Sequence, residues 1–326
     1  MTEQPLPRLG VCAAAFGDCE LSQALISIGE LGLNLIDLPT DSTLRLLPDI
    51  AVLEDASFGA HLVAMLDQHQ MKVGCVSNSR DTQLLLGPYG PHTDPICAGT
   101  PQAKRAHALR HALATVRLAA AIGAPQVRLY FGCPDFARWL TWGSATVSWE
   151  DNIEALAAVL IPLLDQCRDF GLRLCVEPHP KQVLFDVHST RQTLRRLVDY
   201  SDVLRICLDP ANIATLGYNP MDIVTGWREE LGAIHVKDLQ MWTGPGRPTT
   251  PGWIRYGPQP PIRFRTLGRG DLPWPAMIDT LVGEGYSGDI YIEHEDVLLP
   301  RQQSITLAAA QLANLLPATP PEGRTW

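Results

Sequence analysis

Four apolar stretches end in residues that can bind a metal ion: Leu172-Arg-Leu-Cys-Val-Glu177-Pro-His179, Leu204-Arg-Ile-Cys-Leu-Asp209-Pro, Leu231-Gly-Ala-Ile-His235-Val-Lys237-Asp238 and Asp289-Ile-Tyr-Ile-Glu293-His294. Each has the length and composition of a buried strand. A buried strand that ends on a carboxylate or an imidazole places that side chain at the rim of a parallel sheet. Active sites of α/β folds are built at that rim. The four stretches therefore predict one site made of three carboxylates and one imidazole.

Apolar strand candidates alternate with helical patterns along the rest of the chain. The eight candidates cover residues 9–14, 33–38, 72–77, 126–131, 173–176, 205–208, 233–236 and 289–292. Pro162 falls inside the helical pattern at 151–169, which predicts a kink or a break there. Eight strands separated by helices favour an α/β fold of the (β/α)8 TIM-barrel type over an open doubly wound sheet.

The pattern predicts a single barrel domain over residues 1–326, with two stretches that interrupt the regular alternation of strands and helices. Residues 79–100, after the third strand, are rich in glycine and proline. Residues 241–267 form a longer, proline-rich insertion between His235 and Glu293. Because it follows the seventh strand, we expect it over the barrel mouth as a lid or a substrate-selecting loop. A surface or oligomer-contact loop is the alternative. The tail at 317–326 is expected to be a flexible end.

Composition excludes some classes of function. The 326 residues include 46% hydrophobic and 19% charged residues, and the net charge is -9. This acidity argues against a nucleic-acid partner bound through its phosphates. No apolar run of about 18 residues predicts a membrane span, and the first residues lack the pattern of a signal peptide. The eight cysteines form no Cys-x-x-Cys pair, and Cys75, Cys175 and Cys207 are expected in the core. We therefore expect a cytoplasmic protein.

The proposed ligand set suits a hard divalent cation. One imidazole nitrogen and three carboxylate oxygens favour Mn²⁺, with Mg²⁺, Co²⁺ and Zn²⁺ as alternatives, over a closed structural zinc site. Four protein ligands leave coordination positions open for the carbonyl and hydroxyl oxygens of a hydroxy-ketone. The cation would then stabilise the negative charge that forms when the carbon next to the carbonyl loses a proton.

Five motifs carry a resemblance to a known family. They are Glu177-Pro-His179-Pro, Asp209-Pro-Ala-Asn212, His235-Val-Lys237-Asp238, Gly268-Arg-Gly270-Asp271-Leu-Pro-Trp274 and Ile292-Glu293-His294-Glu295-Asp296. In this order, over residues 171–299, they resemble the sugar phosphate isomerase/epimerase family, which includes ketose 3-epimerases and inosose-processing enzymes. The resemblance implies a xylose isomerase-like TIM barrel with Glu177, Asp209, His235 and Glu293 as metal ligands. It also implies that Glu177 and Glu293 are the two acid/base carboxylates.

One position departs from the family pattern. Many relatives read Asp-Pro-Ser-His after the sixth strand, whereas this chain reads Asp209-Pro-Ala-Asn212. An amide therefore stands where a histidine often lies near the substrate, so Asn212 is a candidate substrate contact of a different kind. The chain shows no phosphate-binding glycine loop, so the resemblance does not imply a phosphorylated substrate.

Three further residues are candidate substrate contacts, each with a simpler alternative. His179 either contacts substrate or orients Glu177, unless it is a solvated turn residue. Lys237 either stabilises an oxyanion or forms a salt bridge with Asp238 or another acid of the barrel. Arg269 either contacts substrate or merely stands in a tight Gly-Arg-Gly turn, where glycines permit unusual backbone angles.

The sequence favours a metal-dependent isomerase or epimerase that acts on a sugar, keto-sugar or cyclitol through a metal-stabilised enediolate. The first alternative is a lyase or deglycosidase that eliminates the aglycone from 3-keto-glycosides, with or without a second subunit. The acidic charge and the single histidine ligand speak against a DNA-repair endonuclease, and the two retained glutamates speak against a non-catalytic barrel. The expected partner is a small sugar-derived molecule, and the expected assembly is a homo-oligomer, with a hetero-oligomer as the alternative.

Overall fold

The computed structural model describes residues 5–136, 148–225, 227–241 and 262–319. Its strands are β1 (Arg8–Cys12), β2 (Leu35–Pro39), β3 (Lys72–Asn78), β4 (Gln126–Leu129), β5 (Arg173–Val176), β6 (Leu204–Leu208), β7 (Leu231–Val236), β8 (Asp238–Met241), β9 (Ile262–Arg265) and β10 (Asp289–Ile292). Eight of them close a parallel barrel in the order β1-β10-β7-β6-β5-β4-β3-β2. The predicted (β/α)8 barrel is confirmed, and each of the eight predicted strands overlaps a barrel strand.

Helices lie between the barrel strands. They are α1 (Leu21–Glu30), α2 (Ile50–Leu53), α3 (Ala56–Gln68), α4 (Pro101–Ala121), α5 (Glu150–Asp169), α6 (Val187–Arg196), α7 (Pro210–Ala214), α8 (Pro220–Val224), α9 (Trp274–Gly283) and α10 (Arg301–Leu315). None of the helices in the described part of the chain is long and apolar enough to cross a membrane.

Helix α5 continues through Pro162, so a break at this proline is wrong. Pro162 has no N–H to donate to the carbonyl of Ala158. Both residues are exposed, so water can hydrogen-bond to that carbonyl. The opposite face of α5 is buried, including Leu156 and Leu160, and this packing holds the helix together on both sides of the proline.

The barrel interior begins with a small apolar layer. Leu35, Cys75, Cys175, Cys207, Ala233 and Tyr291 form a buried cluster separate from the large core between strands and helices. The prediction that Cys75, Cys175 and Cys207 are core residues is confirmed, and none of the eight cysteines forms a disulfide. Side chains of a strand alternate between its two faces. Residues two positions after this layer therefore also point inward, closer to the carboxyl-terminal mouth.

A two-stranded antiparallel ribbon follows the seventh barrel strand. It pairs β8 with β9, with Asp238 opposite Arg265 and Met241 opposite Ile262. Most of the predicted proline-rich insertion, residues 242–261, lies outside the described residues, as do residues 320–326 of the predicted tail. The ribbon therefore forms the two ends of the insertion at the barrel.

Candidate metal and active site

The four predicted metal ligands meet at the carboxyl-terminal mouth of the barrel. Glu177, Asp209 and Glu293 directly follow β5, β6 and β10, and each comes two residues after a side chain of the inner apolar layer. His235 lies within β7, two residues after Ala233 of the same layer. Because side chains alternate between the two faces of a strand, all four point into the barrel. Glu177, Asp209 and His235 are buried, and Glu293 is one-fifth exposed.

His235 presents one ring nitrogen to the carboxylates. Its Nε2 lies 3.2 Å from Oδ2 of Asp37, which accepts the Nε2 proton. Burial alone would raise the pKa of Asp37, but Arg128 and His235 outweigh burial and lower that pKa, so Asp37 is an ionised acceptor. Nδ1 of His235 is buried and has no hydrogen-bond partner among the described residues. A carboxylate that holds one ring nitrogen and frees the other is the usual arrangement behind a metal-bound histidine.

The free nitrogen of His235 lies at ligand-to-ligand distances from two glutamates. Nδ1 is 3.8 Å from Oε2 of Glu293 and 3.9 Å from Oε2 of Glu177. Ligand atoms of Asp209, His235 and Glu293 all lie within 4.8 Å of one another. Ligands of a small divalent cation lie about 2.0–2.2 Å from it, so two of them are separated by up to about 4.4 Å. Asp209, His235 and Glu293 therefore approach the spacing of ligands around one divalent cation, and Glu177 lies at a matching distance from the same nitrogen.

Negative charge is in excess in this cluster. The permanent cations Arg128 and Lys237 form ion pairs with five carboxylates, those of Asp37, Glu177, Asp209, Glu293 and Glu295. Burial and the neighbouring Glu293 and Glu177 raise the pKa of Asp209 to about 7, against the lowering effect of Lys237. A divalent cation would compensate this buried charge, which is a second observation in favour of a metal at this place.

The sequence analysis missed three residues of the site: Asp37 of β2, Arg128 of β4, and Tyr130 directly after β4. Arg128 bridges two carboxylates: Nη1 donates to Oε2 of Glu177 at 2.9 Å, and Nε and Nη2 both lie 3.2 Å from Oδ2 of Asp37. The hydroxyl of Tyr130 donates to Oε1 of Glu177 at 2.7 Å. Asp37 and Arg128 are charged residues inside apolar strands, and this was the signal available in the sequence.

Asn212 joins two of the proposed ligands. Its Nδ2 donates to Oε1 of Glu177 at 2.8 Å and to Oδ2 of Asp209 at 3.0 Å. It also lines a cavity at the barrel mouth. The amide that replaces the family histidine thus orients carboxylates, and its predicted contact with substrate stays a prediction.

Lys237 forms ion pairs with three acids, but Asp238 is not among them. Its Nζ lies 3.0 Å from Asp209, 2.7 Å from Glu293 and 2.8 Å from Glu295. Burial would lower the pKa of this ammonium, but the three carboxylates raise it well above its ordinary value. Lys237 is therefore a fixed positive charge beside the proposed ligands.

His179 is a neutral donor at the edge of the site. Burial and the positive charges of Lys181 and Lys237 lower its pKa well below the ordinary value. The backbone N–H of Lys181 donates to Nδ1 at 3.0 Å, so the ring proton of His179 is on Nε2. The ring lies 5.3 Å from that of Tyr130.

Arg269 is exposed and lies outside the set of described residues that line the cavity. Asp238 accepts hydrogen bonds from the backbone N–H groups of Gly268, at 2.9 Å, and Leu272, at 3.1 Å. A side chain at Gly270 would overlap the Asp238 carboxylate. The Gly-Arg-Gly turn thus fastens the segment after β9 to β8, and a contact between Arg269 and substrate stays a prediction.

The cavity at the barrel mouth, here called the inner chamber, has a volume of about 290 Å³. Ligand pockets of small molecules begin at about 300 Å³. Its lining includes His179, Asn212, Lys237, Glu293, His294 and Glu295. The chamber therefore has the size and polarity suited to one small, hydroxylated molecule beside the proposed metal ligands.

Comparison with known proteins assigns the family. The profile of the xylose isomerase-like TIM barrel family matches residues 27–315. The chain belongs to this family. A sequence search of curated proteins finds no match. The family assignment agrees with the resemblance seen in the strand-end motifs.

Solved structures with the same fold are distant in sequence. A family member from Mycobacterium smegmatis in complex with magnesium is 15% identical, with a TM-score of 0.67 and coverage of 97% of this chain and 98% of that one. The IolI protein with a bound zinc atom is 14% identical, with a TM-score of 0.66 and coverage of 94% and 97%. The 3-keto-D-glucoside 4-epimerase from E. coli is 15% identical, with a TM-score of 0.65 and coverage of 94% and 99%. At these identities the likeness shows the fold alone.

Proposed function

We propose that the protein is a divalent-metal-dependent isomerase or epimerase that acts on a sugar, keto-sugar or cyclitol. The observation that carries the proposal is the buried, unpartnered Nδ1 of His235, which faces the carboxylates of Glu177 and Glu293. The family assignment supports an enzyme of this superfamily, and one structural neighbour is a sugar epimerase.

We propose that Glu177, Asp209, His235 and Glu293 hold one divalent cation. When bound, the cation supplies the positive charge that stabilises negative charge developing on the substrate oxygens. Mn²⁺ is our first choice on the chemistry of the donor set, with Mg²⁺, Co²⁺ and Zn²⁺ as alternatives. The magnesium and the zinc in two neighbours show that this fold can hold either ion.

The two glutamates are suited to move protons from two sides of the substrate. Burial would raise the pKa of Glu293, but the charges of Lys237 and His235 outweigh burial and hold that pKa well below its usual range. Glu293 is therefore ionised and partly exposed to the inner chamber, so it is able to accept a proton. Because its low pKa makes it a weak base, it requires a substrate whose proton is already acidic. Glu177 is held in one orientation by Arg128 and Tyr130. A proton removed by one glutamate and a proton returned by the other would invert a stereocentre, and return to the neighbouring carbon would isomerise the sugar.

Proton exchange with solvent tests this proposal whichever product forms. The Mn²⁺-loaded protein is incubated in D₂O with a panel of ketopentoses, ketohexoses and inososes, and deuterium at the carbon next to the carbonyl is measured by NMR. Glu177→Gln and Glu293→Gln, at saturating metal, should each lower exchange by about 10²–10⁴-fold, the usual contribution of an acid/base group. Glu20→Gln changes an exposed glutamate and should have no effect.

Metal content is measured in parallel, so that loss of the ion and loss of the acid/base group are told apart. His235→Ala should chiefly weaken Mn²⁺ binding. Near-full exchange in both glutamine variants would disprove the two-carboxylate mechanism.

Elimination from a 3-keto-glycoside is a second candidate at the same site. It is favoured by His179, whose neutral ring carries its proton on Nε2 at the edge of the inner chamber. After a glutamate removes the proton next to the carbonyl, the bond from the next carbon to the aglycone oxygen breaks, and that oxygen takes a proton from His179. Chromatographic detection of free aglycone, set against deuterium exchange with retained aglycone, separates the two reactions.

A further inference from the structure

A second cavity of about 590 Å³, here called the outer chamber, adjoins the inner chamber. Arg80, Gln83 and Lys181 line both cavities. The two chambers are therefore neighbours across these three side chains. A molecule that reaches from the inner chamber into the outer one would pass these three side chains.

The outer chamber differs from the inner one in its chemistry. Leu84, Pro88, Ile96 and Phe136 form an apolar wall. Such a wall offers no hydrogen bonds to sugar hydroxyls, which lose their water on entry and are left unpaired. Apolar surface in a pocket with a few polar groups is instead suited to an apolar ligand group of matching size.

Among the described residues that line it, the outer chamber has basic side chains and no acidic one. Arg80, His92 and Lys181 line it, and no acidic side chain of the described chain does. Arg80 is exposed, and its Nη1 donates to the hydroxyl of Thr43 at 2.8 Å, which fixes its position near the junction. A ligand group with a carboxylate or an acidic phenol is therefore favoured over a cationic one.

The apolar wall is held in place by a buried lysine. Lys104 of α4 is 2% exposed. Its Nζ lies 2.8 Å from the carbonyl of Gly90, 2.7 Å from the hydroxyl of Thr93 and 2.6 Å from Asp94. These contacts fasten the middle of the loop between β3 and α4, on which the apolar wall residues 88 and 96 lie. A wall that is already ordered loses less conformational entropy when a ligand binds. The glycine- and proline-rich loop at residues 79–100 is therefore suited to form a binding surface.

We propose that the substrate is a sugar derivative with an apolar, ring-sized substituent, and that the outer chamber binds this substituent. The placement of the sugar part in the inner chamber rests on the proposed function. The outer chamber adds what that function does not specify, namely that a keto-glycoside or other aryl-substituted keto-sugar is the preferred substrate class, with an acidic group tolerated beside Arg80.

Binding of matched glycosides tests the proposal. The Mn²⁺-loaded full chain is titrated with methyl, phenyl and 4-carboxyphenyl β-D-glucopyranosides and with 4-hydroxybenzoate as a sugar-free probe, by ligand-observed NMR. The phenyl glycoside should bind about tenfold or more tightly than the methyl glycoside, since it buries a ring that the methyl compound lacks. The 4-carboxyphenyl glycoside should bind at least as tightly as the phenyl compound.

Filling the outer chamber should abolish this preference. Ile96→Trp places a large ring against the apolar wall and should bring phenyl binding down to the methyl level. Ile26→Trp makes the same change at an exposed position of α1 and should keep the preference. Phe136→Ala removes part of the wall and should weaken phenyl binding several-fold, which provides a second variant if Ile96→Trp misfolds.

Equal binding of phenyl and methyl glycosides, no binding of any aryl probe, or a preference that survives in both outer-chamber variants would overturn the proposal. Its failure is distinct from failure of the proposed function. The latter is judged by metal-dependent deuterium exchange in unsubstituted sugars, which requires Glu177 and Glu293 and does not involve the outer chamber.

Discussion

At the scale of single residues, Asp37 controls which nitrogen of His235 is free to bind a metal. Its ionised carboxylate accepts the Nε2 proton and also balances Arg128. Asp37→Asn keeps the size of the side chain but removes its charge. The tautomer of His235 that carries its proton on Nε2 and its lone pair on Nδ1 is then no longer favoured. We expect the affinity for Mn²⁺ to fall by about 10–100-fold, as for other partners of metal-bound histidines. Isothermal titration with Mn²⁺ measures the change.

Asp289→Asn is the matched control for this prediction. Asp289 is also a buried strand aspartate paired with an arginine, Arg8, at 2.7 Å. It is the first residue of β10, whereas the proposed ligand Glu293 follows the last one. The control should lose stability without loss of Mn²⁺ affinity. Equal affinity losses in both variants would mean that Asp37 acts only through general stability.

The contacts of Asp37 also show what the sequence could not predict. The four proposed ligands were predicted because each lies at or directly after the end of its own apolar run, which is a local pattern. Asp37 and His235 are 198 residues apart, and Arg128 and Asp37 are 91 apart. A charged residue inside an apolar strand signals that a partner exists, but only closure of the barrel determines which residue it is. The same holds for Lys237, whose three acids come from the segments after two other strands, Asp209 after β6 and Glu293 and Glu295 after β10.

At the scale of elements, the β8–β9 ribbon couples the turn at Gly270 to the site. Phe264 of β9 lies 4.5 Å from the ammonium of Lys237. Gly270 packs against Asp238 of β8, and a Cβ there would also lie 2.6 Å from the carbonyl of Leu239. Gly270→Ala should therefore displace the ribbon and lower the free energy of unfolding by about 1–3 kcal/mol, the usual cost of overpacking. Urea denaturation measures this loss.

Gly283→Ala is the control for the ribbon. Gly283 ends α9, and a Cβ there meets nothing within 4 Å. Its free energy of unfolding should change by less than about 1 kcal/mol. If Gly270→Ala is as stable as this control, the close contact with Asp238 does not constrain the ribbon.

Strands and helices were predicted correctly where the local sequence pattern and the packing in the fold favour the same structure. Strand β5 was predicted with its observed bounds, since its apolar run is short and ends at Glu177-Pro. The break predicted at Pro162 was wrong, because a proline disfavours a helix whereas the buried face of α5 favours one. The ribbon was not predicted, because its second strand follows a proline-rich stretch with no periodic pattern.

At the scale of the whole molecule, the proposed ligands follow or belong to four neighbouring strands. The barrel order places β10, β7, β6 and β5 side by side, although β10 is far from β7 in sequence. A cation held by all four would cross-link half of the barrel at its mouth. Metal binding should thus stabilise the complete fold, because the ligands come together only when the barrel is closed.

Thermal unfolding with and without metal measures this link. At a free Mn²⁺ concentration about 100 times its dissociation constant, binding to the native state alone contributes about 2.7 kcal/mol. With an unfolding entropy of about 2.1 cal/mol/K per residue, a chain of 326 residues should gain about 4 °C in Tm over the chelator-treated protein. His235→Ala should show no such gain at the same Mn²⁺ concentration, because it lacks the only nitrogen ligand of the proposed set. An equal gain in His235→Ala would place the stabilising ion elsewhere in the molecule, and no gain in the unaltered chain would contradict a cation held across the four strands.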